Sequence, residues 1–146
     1  MEKFYWKDEY SLGVEKVDRQ HQHLFELVNK LIERIAASPD FKLVSNTLTE
    51  MLNYAKEHFA DEEELMQEYG YPELESHKEQ HAYFIKATAE LSINALNKQS
   101  MVLSEIVEFL KIWLTLHILK YDMKYRDYFK AKMPRQFAKD SAGVKG

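Results

Sequence analysis

Five histidines and two acids carry the chemistry that can be read from this chain. His58 and Glu62 form HxxxE, and His77 and His81 form HxxxH. Residues four apart share one helix face, so each pair can hold a common ion or adjacent ions. His21 and His117 fall on the inward stripes of two further helices, which brings five of the six histidines toward one interior. Taken singly, each would be an ordinary core histidine bonded to a neighbour. Taken together, five imidazoles and two acids are too costly to desolvate without a shared partner, whereas a metal uses every lone pair they offer. The expected chemistry is metal binding. Imidazole with carboxylate suits iron, zinc or manganese, and a chain with no cysteine has no thiolate site.

The remaining candidates are weighed by the same geometry. His23 is two residues from His21, about 200° around a helix, and is expected in solvent. Of the acids in helix two, Glu62 alone keeps the three-four stepping, so Asp61, Glu63 and Glu64 read as a solvated acidic face. Asp122 is harder. It lies five residues after His117, about 140° around an ideal helix; either that helix loosens there or Asp122 reaches in from the side.

The elements that must position these residues follow from apolar spacing. Leu24, Phe25, Val28, Leu31, Ile32 and Ile35 mark a first helix over 18–37. Ser38 and Pro39 form a plausible cap and first turn for a second, where Val44, Leu48, Met51, Ala55, His58, Glu62 and Leu65 run toward Gly70. Pro72 opens a third, with His77, His81, Phe84, Thr88, Leu91 and Ala95 on one face. Ser100 can cap a fourth, with Leu103, Ile106, Leu110, Leu114, His117 and Tyr121 inward. The fold class expected is all-α: an up-down-up-down antiparallel four-helix bundle over 18–132. An aromatic N-terminal arm, 1–17, packs on it, and a short helical tail, 133–146, is expected to be flexible.

Bulk properties exclude several functions. With 45% apolar and 30% charged residues, the chain is globular and long enough for one sizeable core. A net charge of -4 attracts neither phosphate backbones nor anionic lipid, so nucleic acid and membrane are not expected partners. Neither a signal-peptide run nor a membrane-length apolar run occurs, and a cytoplasmic monomer is expected.

DRQH at 18–21, HFADEEELM at 58–66, HKEQH at 77–81 and HILKYD at 117–122 together resemble the hemerythrins, in particular the bacterial single-domain ones. The resemblance runs over roughly residues 6–129 and includes Trp6 and Gly13–Val14. It implies reversible O2 binding at a non-haem di-iron centre, with two Fe ions per chain. His77, His81 and His117 would hold one iron and His21 and His58 the other. Glu62 and Asp122 would bridge both beside an oxo or hydroxo group. The first shell is then full and the second is one ligand short, which leaves a position for O2 or for a small anion such as azide. Leu114, one turn before His117, is expected to line the O2 pocket, with Trp113, Ile118, Phe25 and Phe59 as neighbours and Tyr54 and Tyr121 as candidate hydrogen-bond donors. An oxygen carrier or store is the expected role. The alternatives are a di-iron enzyme or a sensor that reacts with O2, peroxide or nitric oxide at the same open iron.

Overall fold

The structure, a computed structural model, describes residues 2–37, 40–97 and 103–141. Its elements are α1 (Glu15–Ala37), α2 (Phe41–Glu68), α3 (Leu74–Leu96), α4 (Leu103–Leu116), a π-helical segment (His117–Asp122), α5 (Met123–Lys132) and α6 (Pro134–Ser141). A 3-10 turn, Asp8–Tyr10, precedes them. The chain is all-helical and forms a bundle. α2 packs along both α1 and α3, α1 closes against α4, and α6 rests against α5 and α1. Among the described residues, no helix is long and apolar enough to cross a membrane.

The first helix begins at Glu15, three residues ahead of the start that apolar spacing suggested. Glu15 and Asp18 in its first turn favour that end of the helix dipole. Asp18 also accepts from Ser11 Oγ at 2.5 Å and from the Leu12 backbone N–H at 2.8 Å. It thereby pins the arm, which turns at Gly13 with φ +78°. The arm itself packs on α1: Asn29 accepts from the Phe4 N–H at 2.6 Å and donates to the Phe4 carbonyl at 2.8 Å. Phe4 stacks on Phe25 at 3.7 Å, while Trp6 and Tyr10 meet the same ring edge-on. Ring pairs of this kind contribute about 1 kcal/mol each beyond the area they bury.

The second helix is capped by Asp40, whose carboxylate accepts from the Lys42 N–H at 2.8 Å. The caps suggested at Ser38–Pro39 and at Ser100 lie outside the described residues. At the other end of α2, Tyr71 N–H bonds to Met66 O at 2.9 Å and Gly70 N–H to Gln67 O at 3.1 Å, with Gly70 at φ +65°. That pairing is the Schellman arrangement, which satisfies otherwise orphaned carbonyls and reverses the chain into α3. Pro72 sits in the turn, so α3 starts two residues later, at Leu74.

The fourth helix departs from a regular spiral. After Leu116 it widens into six π-helical residues before resuming as α5. The core stripe passes through this change without a break, from Ile106, Val107, Leu110 and Leu114 to His117, Ile118 and Asp122, then Tyr125 and Phe129.

Candidate metal centre

Every helix of the bundle contributes a side chain to one interior point. α1 supplies His21, α2 supplies His58 and Glu62, and α3 supplies His77 and His81. The π-helical segment supplies His117 and Asp122. None is more than 4% exposed. The widened turn answers the question of Asp122: hydrogen bonding from i to i+5 brings a residue five positions on under its predecessor, where an α-helix would swing it aside. His117 Nε2 and Asp122 Oδ1 stand 3.1 Å apart.

The two carboxylates divide their oxygens between two sets of histidines. Glu62 presents Oε1 to His81 Nε2 at 3.2 Å, and Oε2 to His21 Nε2 at 3.4 Å and His58 Nε2 at 3.5 Å. Asp122 presents Oδ1 to His77 and His117, both at 3.1 Å, and Oδ2 to His21 at 3.1 Å. Two overlapping ligand groups result: Glu62, His77, His81, His117 and Asp122 in one, and His21, His58 and Glu62 in the other.

Several of these atoms approach one another without the alignment of a hydrogen bond. Glu62 Oε1, His77 Nε2 and both Asp122 oxygens are buried with no hydrogen-bond partner among the described residues. Such orphans are expensive to keep in a dry core. His81 Nε2 and His117 Nε2 face each other at 3.1 Å, donor against donor or lone pair against lone pair unless one is protonated. Two nitrogens at right angles on one ion, with bonds of about 2.1 Å as in zinc sites, would stand about 3.0 Å apart. The donor set therefore fits metal ions.

Burial opposes charge on every group here, and the partners decide the outcome. Burial presses against a protonated His21, yet the Asp122 and Glu62 carboxylates beside its Nε2 outweigh it and raise its pKa to about 10. His81 rises to about 9 against the same penalty, through Glu62 and Glu63. His58 has only the Glu62 carboxylate beside it, at 3.5 Å, and burial carries it down to about 4; burial also lowers His117. For Glu62, burial and the Asp122 charge push upward, but His58, His21 and His81 hold it well below the usual carboxylate range. Asp122 is held low in the same way, chiefly by His117.

A second layer of residues fixes the imidazoles from behind. His58 Nδ1 donates to Gln20 Oε1 at 2.7 Å, His117 Nδ1 to Gln80 Oε1 at 3.1 Å, and His81 Nδ1 to Glu63 Oε2 at 2.8 Å. Partners of this kind choose the tautomer that leaves Nε2 free for a metal. Tyr125 donates to Glu62 Oε2 at 2.7 Å. The solvated-face reading is thus corrected for two acids. Glu63 turns toward His81, and Asp61 accepts from Gln20 Nε2 at 2.7 Å, while Glu64 is exposed. Four-residue stepping missed them because a glutamate beside the stripe can still reach sideways to the next helix. A signal existed in part: Gln20 and Gln80 each directly precede an inward histidine, and Tyr125 stands one turn after Asp122.

Other singled-out residues have varied surroundings. His23 is 44% exposed by side chain and lies 3.3 Å from Glu26. Tyr54 packs on His23, and Tyr121 lies with its ring 5.8 Å from that of His117. Phe59 stacks on His81 at 3.8 Å and Trp113 on His117 at 4.5 Å. Phe25, Ile118 and Leu114 are buried, Leu114 one turn ahead of His117. Outside Trp113 runs a groove of about 600 Å³, lined among others by Gln80, Tyr83, Ile112 and Leu116.

A histidine-rich cage with two shared carboxylates inside a four-helix bundle defines a metal-binding bundle protein. Comparison with known proteins narrows the class. The family model described as the hemerythrin HHE cation binding domain matches residues 12–128. The chain is 34% identical to a bacteriohemerythrin of Clostridium acetobutylicum, covering 85% of this chain and 99% of that one. It is 35% identical to a bacteriohemerythrin of Stenotrophomonas maltophilia, covering 92% and 86%. A myohemerythrin of Theromyzon tessulatum is 30% identical, covering 86% and 92%. Among solved structures, a wild-type hemerythrin superposes with a TM-score of 0.77 at 30% identity, covering 85% of this chain and 95% of that one. The chain belongs to the hemerythrin family.

Proposed function

We propose that this protein binds dioxygen reversibly at a non-haem pair of iron ions, as a carrier or store rather than an enzyme. One observation carries it: each carboxylate offers one oxygen to each histidine set, the geometry of groups that bridge two ions. His77, His81 and His117 would hold one iron and His21 and His58 the other, with Glu62 and Asp122 shared. When bound, a ferrous pair supplies O2 with two electrons and takes them back when the gas leaves.

The chain's own residues set the conditions for that exchange. His21 and His58 bring one imidazole fewer than the other set, which leaves room for a small ligand, whether O2 or an anion such as azide. Phe59 stacks on His81, and Leu114, Ile118 and Phe25, buried within a turn of His117 and His21, supply apolar side chains on this stretch of the core. Tyr125, donating to Glu62, fixes the carboxylate in place. A donor set rich in histidine, with only two acids, supports holding oxygen over cleaving it. The same proposal takes residues 1–17 as an arm, 18–132 as the bundle and 133–146 as a tail, in a monomer.

The test is metal content with an absorption spectrum. Two irons per chain, and a visible band that forms on mixing the reduced protein with air and fades on purging, are expected. Zinc alone, or no metal, would overturn the proposal. Rapid bleaching to the oxidised form would replace the carrier with an O2-consuming enzyme.

A further inference from the structure

We infer that Glu63 is a positioning residue that makes the two metal positions electronically unequal, by placing a carboxylate behind His81 where, among the described residues, His58 and His117 have only amides. The inference rests on the di-iron proposal and deepens it. His58 and His117 each donate Nδ1–H to the neutral amide oxygen of a glutamine, whereas His81 donates to Glu63 Oε2 at 2.8 Å. All three acceptors fix the tautomer, but only the carboxylate also pulls the proton outward and raises the donor strength of the opposite nitrogen. His81 Nε2 is therefore the most electron-rich of these three imidazole donors.

The charges around the cage sharpen the contrast. Glu63 is 26% exposed and, among the described residues, no lysine or arginine lies within ion-pair distance of it. Its counterpart on the other side, Asp61, is 3.5 Å from Lys16 and reaches His58 only through the amide of Gln20. The negative charge behind His58 is thus both relayed and offset, and the one behind His81 is neither. Tighter holding of the more highly charged ion follows at the position of His77, His81 and His117, so that its iron is the easier of the two to oxidise.

The experiment compares the full chain with the Glu63→Gln variant, which keeps the shape and can still accept from His81. Zinc titration against a competing chelator should show one of the two equivalents weakened between tenfold and a hundredfold and the other unchanged. In the iron-loaded protein, an EPR-monitored redox titration should show the ferrous-to-ferric ratio of one iron raised about tenfold at fixed potential, or 59 mV for a one-electron step. The Gln20→Glu variant should shift the other equivalent the opposite way. Identical zinc affinities, or equal weakening of both equivalents, would overturn the inference and reduce Glu63 to a structural contact. Failure of the wild-type protein to hold two irons would instead sink the functional proposal, and the zinc comparison would still decide Glu63.

Discussion

Protons hold the cage together when metal is absent. His21 with a pKa of about 10 and His81 with one of about 9 are cationic at neutral pH and offset the ionised Glu62 and Asp122. His58, at about 4, is already neutral. A metal must displace the protons of His21 and His81, so uptake strengthens as pH rises toward their pKa values and weakens as it falls. Adding zinc to the metal-free protein in weak buffer should therefore acidify the solution, and apparent affinity should climb from about pH 6 to pH 8; uptake with no proton release would contradict this charge balance. At Leu114, truncation to alanine should leave metal content unchanged and open the apolar wall to water. The expected result is faster autoxidation, followed as decay of the oxygenated absorption band. The five inward histidines and Glu62 are brought within reach of one another, because inward positions on packed helices converge wherever the helices do, while Asp122, which is off that stepping, joins them through the widened turn. The layer behind them was hidden, since Gln20, Glu63 and Gln80 each reach the histidine of another helix and one sequence carries no interhelical register.

At the scale of elements, the turn between α2 and α3 has the most to lose from a small change. Gly70 holds φ +65°, and a methyl group added there would meet nothing within 4 Å. The penalty for Gly70→Ala is therefore conformational rather than steric, about 1 kcal/mol. Urea denaturation should show a lower midpoint with an unchanged slope. His77 and His81 follow directly on this turn, so the cap also sets where α3 delivers its ligands. Helix identity and order were legible from apolar stepping, whereas starts slipped by a few residues. Apolar stepping marks a start near Asp18 because its run is dense only from Leu24 on, while Val17 alone extends it toward the acids of the first turn.

For the molecule as a whole, the cage is a cross-link among all four helices of the bundle. Ions bound to the folded state alone stabilise it by about 4 kcal/mol when present at a thousand times their dissociation constant. The metal-free protein, left with orphaned oxygens and nitrogens at its centre, should melt well below the metallated one. Calorimetry with and without chelator reads this directly, and equal melting temperatures would count against a shared metal core. The bundle could be read in the sequence because four long amphipathic stripes joined by short turns leave few other ways to hide their apolar faces. The division of the last stripe into α4, a widened turn and α5 could be sensed only as a misfit in angle, since the apolar pattern runs through it without interruption.

That widened turn makes length, rather than composition, the quantity under constraint between His117 and Asp122. Leu119 and Lys120 are exposed and can change in kind at little cost. Their number is matched to the pitch. In an ordinary spiral the same five steps would swing Asp122 about 140° from His117 and carry Tyr125 and Phe129 round with it, whereas a segment one residue shorter would need no widening, since Asp122 would stand four steps on and about 40° round. Four residues thus act as a ruler, read by counting rather than by chemistry.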